Sequence, residues 1–254
     1  MQKNCLKNKT VLVTRPLRER DELKSLLLEA GAEVLSQPTV EIRPPQSWSP
    51  IDAAIARISD FDWLVFASAN GVDFFCERLL SKSRGLPIPQ ISAIGPGTAL
   101  ALEKFGLKSA LIPTQHTSEG IVDSFISKAK AGEKILIVRA SRGRNIIKEQ
   151  LSAVSHDEKN IYEIIAYESV DITSPDPKIV SLLEQNRIDW VTCTSSAIAV
   201  SLFRMFGRLL DNTKIVSISP ISSKTIRNLG LTVSVESSTA NMQAVFDAIV
   251  DSEI

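Results

Sequence analysis

The feature that most constrains this chain is that it contains itself twice. Asp62-Trp63-Leu64-Val65-Phe66-Ala67-Ser68 returns 127 positions later as Asp189-Trp190-Val191-Thr192-Cys193-Thr194-Ser195. Ile91–Leu107 returns 124 positions later as Ile215–Leu231, keeping Ile94/Ile218, Pro96/Pro220 and Gly106-Leu107/Gly230-Leu231. The opening run Val11-Leu12-Val13-Thr14-Arg15 has its partner, also at 124, in Ile135-Leu136-Ile137-Val138-Arg139. Matches in one order at near-constant spacing, over a period too long for a solenoid, imply two copies of one domain. The 254 residues accommodate two domains of ~120 each.

Each copy alternates strands with helices. Val11–Thr14 is a short apolar run followed by Leu23, Leu26, Leu27 and Ala30 at helical spacing, with Gly31 as the stop. Ile135–Val138 is followed likewise by Ile146, Ile147, Leu151 and Val154. Trp63–Phe66, Ile91–Ile94, Ala110–Ile112, Trp190–Cys193, Ile215–Ile218 and Val233–Val235 are further strands. Continuous apolar runs separated by helices predict an α/β fold of two similar doubly wound parallel sheets. Thr39–Arg43 and Ile161–Val170 are extended and half-polar. They read equally well as outer strands of each sheet or as linkers crossing between the domains.

Composition removes several function classes. Twenty-nine basic residues balance 29 acidic ones, against a strongly basic nucleic-acid binder. Cys5, Cys76 and Cys193 stand far apart, which suits neither a disulfide framework nor a zinc knuckle and points to a reducing, cytoplasmic setting. His116 and His156 belong to no ligand cluster, so no metal is expected. No apolar signal segment follows Lys3, Lys7 and Lys9, and the uncharged stretch Gly85–Leu102 is broken by Pro87, Pro89 and Pro96, so no membrane span is predicted. Gly95-x-Gly97 lacks the third glycine of a dinucleotide turn, that position being Leu100, and neither a phosphate-binding P-loop nor a Gly-x-Ser-x-Gly elbow is present.

Ligands of open parallel sheets bind beyond the strands' carboxyl ends, against helix N-termini. Those positions carry Ser68-Ala69-Asn70-Gly71, Gly95-Pro96-Gly97-Thr98, Thr114 to Gly120, Ser195-Ser196, Ser219 to Ser223 and Ser237 to Asn241. Any one of these is an ordinary helix cap, yet two matching sets of N–H donors suit a large ligand bearing several carboxylates or phosphates. Tyr167 breaks the pseudo-symmetry. The 127 shift sets it against Val40, and the chain has only two tyrosines.

Taken together, the opening Val-Leu-Val-Thr-Arg-Pro, Asp62–Gly71, Ala93–Ala99, Ala166-Tyr167-Glu168, Asp189–Ser196 and Ile218–Ser223 resemble the uroporphyrinogen-III synthase family, from about residue 10 to about residue 250. The resemblance implies two flavodoxin-like domains joined by a two-stranded β-ladder. Domain one would combine residues 1–37 with 172–254, domain two would span 45–160, and the linkers would be about 38–44 and 161–171. It further implies a hydro-lyase that closes hydroxymethylbilane, a linear tetrapyrrole, with inversion of ring D and loss of water. No cofactor is implied. A monomer is expected, with room for transient contact with the preceding pathway enzyme. Tyr167 matches the family's tyrosine, whose phenol would assist departure of the hydroxyl. Thr98 (with Gly97) and Ser222 match the paired turn positions, Ser68 and Ser195 the strand-end serines, and Arg15 would meet a carboxylate. Ser219-Pro220-Ile221 departs from the family's Gly-Pro-Thr. It would crowd a turn needing positive φ, and favours the rival reading of a non-catalytic binding module for an anionic metabolite.

Overall fold

The computed structural model describes residues 4–16, 21–82, 85–128, 130, 132–143, 145–155 and 158–253. In chain order the elements are β1 (Thr10–Val13), α1 (Glu22–Glu29), β2 (Glu33–Ser36), β3 (Val40–Arg43), α2 (Ser49–Ala56), β4 (Trp63–Phe66), α3 (Ala69–Lys82), β5 (Gln90–Ala93), α4 (Pro96–Glu103) and α5 (Ser118–Lys128). They continue with β6 (Ile135–Ala140), α6 (Ile146–Ser155), β7 (Ile161–Asp171), α7 (Pro177–Glu184), β8 (Trp190–Cys193), α8 (Ser196–Phe206), β9 (Lys214–Ser217), α9 (Pro220–Asn228), β10 (Val235–Glu236) and α10 (Met242–Asp251). Two compact units result, one of Met1–Glu41 with Val170–Ile254, the other of Ile42–Ser169.

The first unit's sheet runs β2-β1-β8-β9-β10, with parallel pairing throughout. In its own chain order this is 2-1-3-4-5, the flavodoxin-like order. Side chains alternate between its faces as strand geometry requires. Leu12, Val191, Cys193 and Ile215 enter one core with α7, α8 and α9, while Val11, Val13, Trp190 and Val216 enter another with α1 and α10. Both faces are covered, which is why the strands read as unbroken apolar runs.

The second sheet runs β3-β7-β6-β4-β5, and a single bridge from Ser92 of β5 to Leu111 extends it. The pairs β7–β6, β6–β4 and β4–β5 are parallel. This is the same spatial order with the chain entering at a different strand. Leu64, Phe66, Leu136 and Val138 face one core, Trp63, Val65, Ile135 and Ile137 the other.

The repeated Asp-Trp pair is scaffold. Asp189 accepts the backbone N–H of Thr10 and Asp62 that of Lys134, each at 2.8 Å, so each carboxylate extends a parallel ladder by one residue. Each buried indole keeps a carboxylate partner: Trp63 donates to Glu133 at 3.0 Å and Trp190 to Glu253 at 2.9 Å. Gly106 and Gly230, at φ +71° and +77°, supply the left-handed residue that ends α4 and α9. The leucine after each then donates back into its helix, to Leu102 and Ile226 respectively.

The structure refines three readings. Residues 161–171, open between an outer strand and a linker, are for most of their length an integral strand, because Ile161, Ile164, Ala166 and Tyr167 are buried in the second unit. Glu33–Ser36, not anticipated as a strand, is the counterpart of the first half of β7. It pairs with β1 as Ile161–Ile164 pairs with β6, and Pro38 ends in the first copy what continues through Ile165 in the second. Ala110–Ile112 forms only the one bridge at Leu111. The crossings between the units fall in β3 and at the end of β7, neighbours in the second sheet.

Candidate functional site

In a 2-1-3-4-5 sheet the switch point lies where chain order reverses, beyond the carboxyl ends of the two central strands. In the second unit these strands are β6 and β4, and a cavity of about 180 Å³ opens there. Its walls include Ser68 and Ala67 from the end of β4, Arg139 and Ala140 from β6, Glu163 and Tyr167 from β7, and Asn145 ahead of α6. The topology therefore gathers residues far apart in the chain.

Tyr167 is 6% exposed, and its hydroxyl lies 3.0 Å from Ser68 Oγ. Its ring stacks on Phe74 of α3, centroids 5.8 Å apart and planes 12° apart, which fixes the phenol's direction. Ser68 is itself held, since its Oγ accepts the Gly71 N–H at 3.0 Å in the first turn of α3. Gly71 permits this close approach, because a Cβ there would lie 3.3 Å from that oxygen. In the same lining Arg139 pairs with Glu163 at 3.2 Å.

The remaining expected residues lie at other strand ends. Thr98 is buried in the first turn of α4, behind Gly95. Gly97 has open space where a Cβ would stand, so packing does not demand glycine there. Gly95 does face a constraint, since a Cβ would meet the His116 side chain at 3.2 Å. His156 lies outside the described residues.

Arg15, Ser195 and Ser222 belong to the first unit. Arg15 lies 3.6 Å from Asp21, the N-cap of α1. Ser195 caps α8 by accepting the Ile198 N–H at 3.1 Å. Ser222 is 2% exposed and bonded to Ser219 Oγ at 3.2 Å. Ser219 sits at φ −165° in extended backbone and caps α9, so it crowds nothing, and the observation that favoured a non-catalytic binder disappears.

Arg139 and Glu163 were not anticipated as site residues. A signal was present for Arg139, as the duplication makes it the mate of Arg15. Glu163 carried none, its mate being Ser36. Among the described residues no group of three or more His, Cys, Asp or Glu side chains is arranged to hold a metal ion, and no helix is long and apolar enough to cross a membrane.

Comparison with known proteins agrees along nearly the whole chain. The family model described as "Uroporphyrinogen-III synthase HemD" matches residues 21–247. A uroporphyrinogen-III synthase of Synechococcus elongatus is 33% identical, covering 98% of this chain and 97% of the relative. The Escherichia coli enzyme is 32% identical over 57% of this chain and 59% of its own. Among solved structures, a mutant uroporphyrinogen III synthase from Thermus thermophilus superposes with a TM-score of 0.65 at 15% identity, covering 95% of this chain and 97% of that one. The Helicobacter pylori protein does so with a TM-score of 0.58 at 15% identity, covering 96% and 99%. The duplicated flavodoxin-like units, the strand-end cavity and these matches coincide: the chain belongs to the uroporphyrinogen-III synthase family.

Proposed function

We propose that the chain is a uroporphyrinogen-III synthase that closes hydroxymethylbilane with inversion of ring D and loss of water, and that Tyr167 is its acid. The observation that carries the residue assignment is the Tyr167–Ser68 contact in the lining of the switch-point cavity. The hydroxyl of the substrate's hydroxymethyl group must leave, and the electron-rich pyrrole that keeps the methylene carbon itself supplies the electrons. The departing oxygen needs a proton to leave as water, and a phenol, titrating near ~10 in its ordinary state, carries one at neutral pH.

Proton transfer leaves a phenolate, and the local structure suits one. Ser68 can turn its hydroxyl hydrogen toward the phenolate while its oxygen continues to accept from Gly71. The negative charge then forms two hydrogen bonds away from the N-terminus of α3, the end that favours anions. Ring closure later releases a proton, which returns to the phenolate and balances the reaction. Thr98, Gly97, Ser195 and Ser222 mark the strand ends whose backbone N–H groups would take the substrate's acetates and propionates. Directing one closure over another is an orientation effect.

The test supplies hydroxymethylbilane, made in situ by the enzyme that precedes this one, and reads the product isomer. Predominantly type III product is expected, and only type I would overturn the assignment. Tyr167→Phe should lower kcat by ~10²-fold or more with KM little changed. Parent-like turnover would refute the acid role.

A further inference from the structure

Arg139 is 12% exposed along its side chain and engaged in four directions. Its Nε donates to the Ala140 carbonyl at 3.1 Å and its Nη2 to the Gly143 carbonyl at 3.1 Å. Nη1 donates to Asn145 Oδ1 and, at 3.2 Å, to Glu163 Oε2. One planar guanidinium thus ties both ends of the β6–α6 loop to each other and to β7. Lysine offers no such fork.

That loop in turn holds Tyr167. The Ser141 N–H donates to the Tyr167 carbonyl at 2.9 Å, and Ser141 Oγ accepts the Ser169 N–H at 3.2 Å. The β6–β7 register slips at this point: Arg139 lies opposite Ile165, but Ala140 lies opposite Tyr167, leaving Ala166 as an extra residue. Without the slip Ala140 would face Ala166. A one-residue change of register turns side chains to the other face of a strand, so the irregularity decides where the phenol points.

The first unit provides the control comparison. Arg15 reaches the N-cap residue Asp21, as its mate Arg139 reaches Asn145, so the link from strand end to helix cap is common to both copies. The second unit alone adds a strand carboxylate, Glu163 where the first copy has Ser36, and a tyrosine where the first has Val40.

We propose that Arg139 is a positioning residue for the reaction, holding the β6–α6 loop and thereby the register that aims Tyr167 at Ser68. The inference rests on the acid role proposed above. With four of its five N–H donors engaged within the protein, Arg139 acts through the tyrosine and not as a ligand of substrate carboxylates.

A double-mutant cycle on kcat and KM, with hydroxymethylbilane made in situ, tests it. Arg139→Lys should lower kcat by ~10²-fold, the scale of a misplaced reacting group, with KM near the parent value. In the Tyr167→Phe background the same substitution should cost almost nothing more, since the group it positions is gone. A raised KM with kcat intact would overturn the inference in favour of direct substrate binding. A full loss persisting in Tyr167→Phe would overturn it in favour of an independent role. The acid role is read separately, from Tyr167→Phe alone; its failure removes both claims. Should Arg139→Lys not fold, Asn145→Ala, which removes one bond of the clamp and leaves the ion pair, carries the same cycle with the same opposing outcomes.

Discussion

Glu253 ties together three elements of the first unit, and its charge sets a pH window for that unit's stability. One oxygen receives the Trp190 indole N–H at 2.9 Å and Lys214 Nζ at 2.8 Å, the other Lys9 Nζ at 2.6 Å, and the side chain is 8% exposed. Burial pushes this carboxyl up, but the hydrogen bonds from Lys214, Lys9 and Trp190 together outweigh it and hold the pKa at about 2. A glutamate in an unfolded chain titrates near ~4.3. The folded value is the lower one, so the stabilisation is complete above pH ~4.3 and is lost as pH falls toward 2. A shift of about two units corresponds to ~3 kcal/mol before screening. Because Lys9 and Lys214 are 33% and 49% exposed, solvent screening reduces this to ~1–2 kcal/mol. Glu253→Gln keeps an acceptor for the indole and removes only the charge. Urea denaturation across a pH series, with amide exchange on β8 isolating the first unit, should show the variant less stable by that amount at pH 7. The gap should be about half closed at pH 3 and vanish near 2. A gap that ignores pH would show that packing or a neutral hydrogen bond, and not the charge, was lost.

Two further perturbations are read from single contacts. A Cβ on Gly120 would lie 2.0 Å from the Gln115 carbonyl oxygen, which is backbone and has no rotamer to escape into. Gly120→Ala should therefore destabilise the second unit by ~3 kcal/mol in urea; a parent-like midpoint would contradict that contact. The Cys76 and Cys193 thiols are pushed up to about 12, chiefly by burial. Since the thiolate is the reactive form, a thiol-reactive dye at pH 8 should label at most one cysteine per native chain and all three in urea. Two fast-reacting native thiols would refute the burial argument.

The architecture was legible because its signals are local. Apolar runs such as Leu64–Phe66 and Leu136–Val138 are buried on both faces and announce themselves without a partner. β2 was missed because Glu33–Ser36 is exposed to half-buried and carries no such run. The polar residues of β7 left strand and linker equally open, since its burial comes from β6 on one side and β3 on the other. Ser68 and Tyr167 were found one at a time, the first as a strand-end serine and the second by its mismatch with Val40. Their hydrogen bond spans 99 positions and is a property of the sheet order. Arg139 shows the converse: the duplication pointed to it, but its partners come from β7 and from the loop before α6, which no pattern of residue types brings together.

A duplicated scaffold invites the assumption that both copies do the same work, and the differences between the mates argue otherwise. In the first unit the strand-end hydroxyls are engaged with one another: Ser219 with Ser222, Ser217 with Ser223, and Ser223 in turn with Glu236. Thr225, in the second turn of α9, donates likewise to Ser196 at the start of α8. Such hydroxyls rigidify the sheet end and have less to offer a ligand. In the second unit, Gly95 in place of Ser219 leaves α4 without a side-chain cap, and Tyr167 in place of Val40 adds a proton donor at the cavity. Glu163 in place of Ser36 completes the arginine clamp. Each replacement is small: Gly95 stands just ahead of α4, whereas Glu163 and Tyr167 lie within β7, the tyrosine in the buried core. On the function proposed above, acid chemistry belongs to one copy alone, because the first unit has no counterpart of Tyr167.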